Sequence, residues 1–324
     1  MKMLQVLAPG SIFEITDVPI PKVGAGEALV RIEAITTCPQ WDLHLRHDEP
    51  MFVGHKFHYP YTPGQPGHEA TGYVEQLGDG VTELVIGDRV SVWRDAGHHV
   101  DGCYAQYVAR PVEHLIKVPT QLPPEALAPI ELAMCVGSTL LLLKEMNVIK
   151  GKRIGITGLG PAGLIAALMV RAEGASEVIG FDLSETRRLY AAFALDAAYD
   201  PIDPPSSIPS RQHGAPVLDT GVDCVGAKAS VEFLLDRVRD TLALFGVQRE
   251  NYTFSVRHYM NTRLCGYRGH SREAADYAVG LIRDGRIDLS PLTTHKLPLN
   301  RYAEGIELLE TQKAVKICFD PWAE

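Results

Sequence analysis

The sequence predicts an α/β protein in which a β-rich first part leads into a doubly wound parallel sheet. Three observations carry that reading. Residues 153–182 run as apolar strand, glycine turn, apolar helix and apolar strand. Residues 1–125 hold short alternating runs bounded by Gly, Pro and Asp, the pattern of strands joined by turns. Residues 268–324 add two helical patterns and a final strand after that alternation has ended.

In the first of these stretches, Ile154-Gly155-Ile156-Thr157 reads as a buried strand. Gly158-Leu159-Gly160-Pro161-Ala162-Gly163 follows as a G-x-G-x-x-G turn. The run 164–173, rich in Ala, Leu, Ile and Met, reads as a helix packed on a sheet. Gly174 ends it, residues 177–181 form the next strand, and Asp182 lies just beyond. Gly158 permits the tight turn, Gly160 a close backbone approach, and Gly163 close packing of helix on strand. The helix N-terminus, which opens on Pro161, then presents the free N–H groups of Ala162 and Gly163 to a pyrophosphate. Asp182 stands 22 positions after Gly160, the spacing of a carboxylate that meets ribose hydroxyls. Such a carboxylate repels a 2′-phosphate, so NAD is expected over NADP. Arg187, a little further on, completes the candidate cofactor contacts.

The rest of the composition narrows the classes. The chain has 324 residues, 46% hydrophobic and 22% charged, enough for two domains with sizeable cores. Its net charge of −9 gives no general attraction for nucleic acid. No run of membrane-spanning length and no signal-peptide core is read from the sequence, so a cytoplasmic protein without membrane partners is expected. Six scattered cysteines, with no C-x-x-C, do not make a disulfide framework.

Taken in order, residues 28–34 and 89–92 are strands, with turns at 78–80 and 87–88. Residues 121–125 look like a boundary, followed by an apolar helical pattern over 126–146. Strands at 223–225, 242–246 and 263–267 and a helix near 230–239 continue the alternation, with 201–209 as a surface loop. Helices near 274–283 and 302–309 and a strand at 315–319 close the chain. Domains of 1–125 and 126–267 result, with 268–324 returning to finish the first.

The β-rich part also carries Cys38-Pro39-Gln40-Trp41-Asp42-Leu43-His44 and, thirty positions after Cys38, His68-Glu69. A thiolate, an imidazole and a carboxylate suit zinc, and three protein ligands leave one position open, as catalytic zinc requires.

The C-x-x-x-D-x-H run, the block P-G-H-E-A-x-G and the later GLGPAG turn together resemble the zinc-dependent medium-chain dehydrogenase/reductase family, the alcohol and polyol dehydrogenases. The closing segment THKLPLNRYAEGIELLETQKAVKICFDP is similar too, so the resemblance covers nearly the whole chain. It implies a GroES-like β-barrel catalytic domain, a Rossmann domain and an active site in the cleft between them. It implies zinc on Cys38 and His68, with Glu69 as ligand or near neighbour. Glu131, in a run similar to the I-E-P-L-A-C of sorbitol-type members, is the further candidate, with Cys135 as its rival. Asp42 would take the second ring N–H of His68, and His44 would end a proton relay. The implied activity is NAD-dependent interconversion of an alcohol and its ketone or aldehyde, in a homodimer or homotetramer, on a small secondary alcohol, polyol or sugar.

The sequence also departs from the family pattern. Gln40-Trp41 stands where members carry one residue fewer and a Ser or Thr hydroxyl, leaving Thr36, Thr37, a water or Glu69 to move the proton. Trp41 is expected to narrow the substrate pocket. Residues 93–103, where many members hold a structural zinc, have one cysteine, so one catalytic zinc and no structural zinc are expected. His98-His99 is read as a solvated loop, and residues 47–58 as a mobile loop by the cleft. A zinc-free quinone or enoyl-type reductase and a non-catalytic nucleotide binder are the competing readings; the Cys38, His68 and Glu69 set argues against the former.

Overall fold

The computed structural model describes residues 1–324. The chain divides into two units: Met1–Met134 with Ala278–Arg283 and Asp288–Glu324, and Cys135–Tyr277 with Asp284–Ile287. The main divisions between these units fall after residues 134 and 277.

The first unit begins with a hairpin of β1 (Lys2–Ala8) and β2 (Ile12–Asp17). Then come β3 (Glu27–Thr36), α1 (Pro39–His47), β4 (Glu69–Leu77), β5 (Arg89–Val92), β6 (Tyr107–Pro111) and β7 (Leu115–Lys117). Two helices follow, α2 (Pro124–Leu127) and α3 (Ile130–Glu145). The second unit runs β8 (Arg153–Thr157), α4 (Pro161–Ala172), β9 (Glu177–Phe181), α5 (Glu185–Tyr190), β10 (Ala197–Tyr199), β11 (Leu218–Asp223), α6 (Lys228–Leu235), β12 (Val238–Leu244) and β13 (Arg263–Cys265). The chain closes with α7 (Arg272–Arg283), β14 (Thr293–Pro298), α8 (Tyr302–Glu310) and β15 (Lys316–Asp320).

In the first unit one seven-stranded sheet runs β14-β15-β3-β4-β5-β7, with β6 on the other side of β3. The strand β15 therefore lies beside β3, pairing Cys318 with Thr36. The late segment returns to this sheet because β15 is buried at four of its five positions and needs a partner on each edge. Its core gathers Tyr104, Tyr302, Phe319, Ile32 and Ile317.

The second unit is one parallel sheet in the order β10-β9-β8-β11-β12-β13, the doubly wound Rossmann arrangement. The strands β8 and β9 are buried at all but their first residue, as strands covered on both faces must be. The helix α4 starts where Gly160 caps it and Pro161 occupies its first turn. Its Leu164, Ile165 and Val170 are fully buried, each worth roughly 1.5–3 kcal/mol of burial.

Some boundaries differ from the sequence reading. The helix expected near 230–239 ends at Leu235, because the chain must enter β12 at Val238. The strand expected at 223–225 instead runs from Leu218 to Asp223, and Cys224 and Val225 lie beyond it. Within the loop 201–209, Ile208 is 1% exposed and belongs to the second core. A membrane-length apolar run does exist: Pro124–Glu145 passes on length and composition, yet 83% of its most apolar window is buried in the protein, so its all-round apolarity serves the core.

Candidate active site

Strand register builds the first constellation. Antiparallel pairing of β3 with β4 sets Thr36 opposite Glu69. Cys38, two residues past Thr36 and at the N-cap of α1, then lies across from His68, the residue before β4. One donor atom each from Cys38, His68 and Glu69 lies within 4.8 Å of the others. Glu131, in the first turn of α3, brings Oε2 to 3.8 Å from His68 Nε2. Cys135, one turn further along α3, groups with the second unit.

The electrostatics fit a cation. Burial pushes the Cys38 thiol well above its ordinary value, and the nearby Glu69 carboxylate adds to that. Burial also pushes the His68 imidazole down to about 4, keeping the neutral, ligating form. Glu69 is raised by burial, against the opposing charge of Lys316. A divalent ion among these groups would offset the charge on the thiolate and carboxylates at once. His68 Nδ1 is buried without an aligned hydrogen bond, although the Pro66 backbone favours its protonation. Thiolate, imidazole and carboxylate are a donor set for zinc, and these residues fit it.

Lys316 is a member of this site that the sequence did not announce. It is fully buried on β15, with Nζ donating to both oxygens of Glu69, at 2.6 and 2.5 Å, and to the Thr37 carbonyl. Thr36 Oγ1 donates to Glu69 Oε2 at 3.1 Å. Thr37 Oγ1 accepts from the Ile317 amide.

Asp42 requires a correction. Its carboxylate does not receive the His68 ring. Both of its oxygens accept from Tyr104 Oη, and Oδ1 also from Tyr302 Oη, each at 3.0 Å. Complete burial raises its pKa to about 7, against the lowering effect of those two hydroxyls. Asp42 thus ties α1 to the bend before β6 and to α8 through two tyrosines that are themselves wholly enclosed. His44 is half-buried, with Nδ1 3.1 Å from the Glu49 carbonyl. It lines a hollow of about 360 Å³ with Gln40, Leu43, His47 and Glu310.

Trp41 lies against a cluster the sequence reading had dispersed. Its indole stacks on the His98 ring at 3.6 Å and 24°, with His55 and Phe57 edge-on at 5.7 and 6.3 Å. His98 is therefore no solvated loop residue. Its Nδ1 lies 2.9 Å from Tyr61 Oη, and its carbonyl accepts from Thr62. Asp95 stands beside it. Burial alone would raise the Asp95 carboxyl, but the His98 imidazole outweighs this and holds it well below the usual range. The 47–58 segment is tethered as well, by buried Met51 and Phe57.

In the second unit the glycine turn has the geometry its residues suggest. Gly158 has φ +82°, and a Cβ there would meet Val225. A Cβ on Gly163 would collide with the Gly158 carbonyl, whereas Gly160 has open space about it. Pro161 and Ala162 lie in the first turn of α4. Asp182 Oδ2 accepts from the Leu159 amide and Oδ1 from the Ser184 amide, both at 2.8 Å. The carboxylate thereby braces the turn itself. Arg187 Nη1 is 3.9 Å from Asp182 Oδ2.

One unit thus carries a candidate metal-donor set, and the other is a doubly wound sheet with a glycine turn at the start of α4. Comparison with known proteins agrees. The alcohol dehydrogenase GroES-like domain matches residues 24–120. L-threonine 3-dehydrogenase of Pyrococcus horikoshii is 28% identical over 98% of this chain and 98% of its own. An alcohol dehydrogenase of Geobacillus stearothermophilus is 33% identical over 54% of this chain and 56% of its own. The 2R,3R-butanediol dehydrogenase of Bacillus subtilis superposes with TM-score 0.84 at 20% identity, covering 99% of both chains, a likeness of fold. Over nearly its whole length the chain is thus similar to L-threonine 3-dehydrogenases, and residues 24–120 match the GroES-like domain of alcohol dehydrogenases.

Proposed function

We propose that this protein is a zinc-dependent NAD(H) oxidoreductase that interconverts a secondary alcohol, polyol or sugar and its carbonyl product. The observation that carries the reading is the close approach of donor atoms from Cys38, His68 and Glu69, with Glu131 Oε2 3.8 Å from His68 Nε2. The relatives are named for hydroxyl-bearing substrates.

When bound, zinc supplies Lewis acidity to the substrate oxygen and NAD supplies the hydride acceptor. Cys38, His68 and Glu131 hold the metal. Glu69, clamped by Lys316 and Thr36, stands by as a fourth donor or as a proton acceptor for the alcohol. His44 carries the proton outward along α1, since its half-buried ring borders the surface hollow. Trp41 restricts the bulk of the substrate. The turn of Gly158, Gly160 and Gly163, with the amides of Pro161–Ala172's first turn, takes the pyrophosphate. Asp182 favours NAD over NADP, and Arg187 contacts the cofactor beside it. Family resemblance supports a cytoplasmic homodimer or homotetramer with one zinc per chain.

The test is a nicotinamide fluorescence assay with a panel of secondary alcohols and polyols, before and after metal removal. Turnover lost with the chelator and restored by zinc is the expected result. Turnover that survives complete zinc removal would favour a zinc-free reductase on the same fold.

A further inference from the structure

A second set of donors adjoins the first. One donor atom each from His68, Asp95 and His98 lies within 4.8 Å of the other two. His98 Nε2 is 3.2 Å from Asp95 Oδ2 and, buried, has no other partner. His68 Nδ1 is also buried, with only the poorly aligned Pro66 backbone to meet it, on a residue only 5% exposed. Donors on a tetrahedral ion with bonds of about 2.1 Å stand about 3.4 Å apart. The Asp95–His98 spacing already matches, and since no donor pair exceeds 4.8 Å, the third donor needs a shift of at most about 1.4 Å.

We propose that Asp95, His98 and His68 form a second divalent-cation position, contiguous with the Cys38 set and separate from it in chemistry. Two imidazoles and one carboxylate suit Zn2+, Co2+ or Ni2+ rather than Mg2+ or Ca2+. The position is built in advance. Gln65 Nε2 donates to the Gly97 and Val100 carbonyls, at 3.3 and 2.9 Å, and holds the segment that carries both ligands. Tyr61 orients the His98 ring through Nδ1 and leaves Nε2 for the ion. That is the outer hydrogen bond a ligating histidine ordinarily makes. His68 is common to both sets, so an ion here uses the ring nitrogen that the first ion leaves, and the ring proton goes to bulk water. Without a thiolate, this position binds more weakly than the first and fills after it.

The experiment titrates Co2+ into protein that already carries one zinc per chain, reading stoichiometry by equilibrium dialysis and ligation by absorption. The expected result is a second equivalent without thiolate-to-cobalt charge transfer. His98→Gln and Asp95→Asn each weaken that equivalent at least tenfold, while zinc content stays at one per chain and so reports an intact fold. Absence of a second equivalent in the unaltered protein, or its persistence in both variants, overturns the proposal. So does a thiolate band, which would show cobalt exchanging into the Cys38 set. If the protein holds no zinc at the outset, the proposed function fails instead. The same titration of the metal-free chain then decides this site by its dependence on His98.

Discussion

Lys316 Nζ lies 2.6 Å from Glu69 Oε1 and 2.5 Å from Oε2, and neither side chain has any exposure to solvent. The pair joins the last strand of the chain to the strand that begins beside His68. Removing one partner of a buried ion pair leaves an uncompensated charge, at about 3–5 kcal/mol. Lys316→Met is therefore expected to destabilise the metal-free protein by that order in urea unfolding. Adding Glu69→Gln recovers most of the loss. Equal stability of Lys316→Met and the unaltered protein would show that the pair has no structural role.

Asp42 supplies a pH dependence whose sign follows from its surroundings. Its carboxyl rises from the ordinary 3.8 to about 7 on folding, through burial. The folded chain thus holds this proton more tightly than the unfolded one. The associated stability is fully present below about 3.8 and is lost as pH rises through about 7. The expected decline is a few kcal/mol, at about 1.4 kcal/mol for each pKa unit. Unfolding curves at pH 5 and pH 8 should show it in the unaltered protein and not in Asp42→Asn. A parallel decline in both would assign it to other groups.

Gly163→Ala tests the nucleotide turn. The new methyl group would collide with the Gly158 carbonyl, so strand and helix must part at the proposed pyrophosphate site. NADH affinity by fluorescence titration is expected to fall at least tenfold, about 1.4 kcal/mol. Gly160→Ala, where no atom lies within 4 Å of the added carbon, perturbs the protein without cofactor far less.

Trp41→Ala should open the substrate side. The indole is stacked on His98 and wedged by His55 and Phe57, so its loss leaves a space beside the Cys38 segment. A kcat/KM comparison over short and branched secondary alcohols is expected to shift at least tenfold toward the bulkier ones. An unchanged preference would place Trp41 outside the substrate path.

The sequence announced those parts of the molecule that depend on local rules. Gly158, Gly160 and Gly163 are legible because backbone geometry requires glycine at fixed spacings. Cys38, His68 and Glu69 are legible because few other roles place those donor types in such a pattern. Lys316 was invisible, since its partner is 247 residues away and only the pairing of β15 with β3 brings it near. The true partners of Asp42, Tyr104 and Tyr302, reach it from distant elements, so local spacing points to His68 instead. His98 looked solvated in a Gly- and His-containing run, and its burial comes from Trp41 and Tyr61, which the run itself does not contain.

X-ray absorption at the zinc edge tests the central claim most directly, because it reads the ligands of the ion in the intact protein. The account predicts one zinc per chain with a single sulfur at about 2.3 Å and nitrogen or oxygen neighbours at about 2.0–2.2 Å, and loss of the sulfur shell in Cys38→Ser. Zinc-free protein with full activity, or bound zinc with no sulfur neighbour, would contradict it.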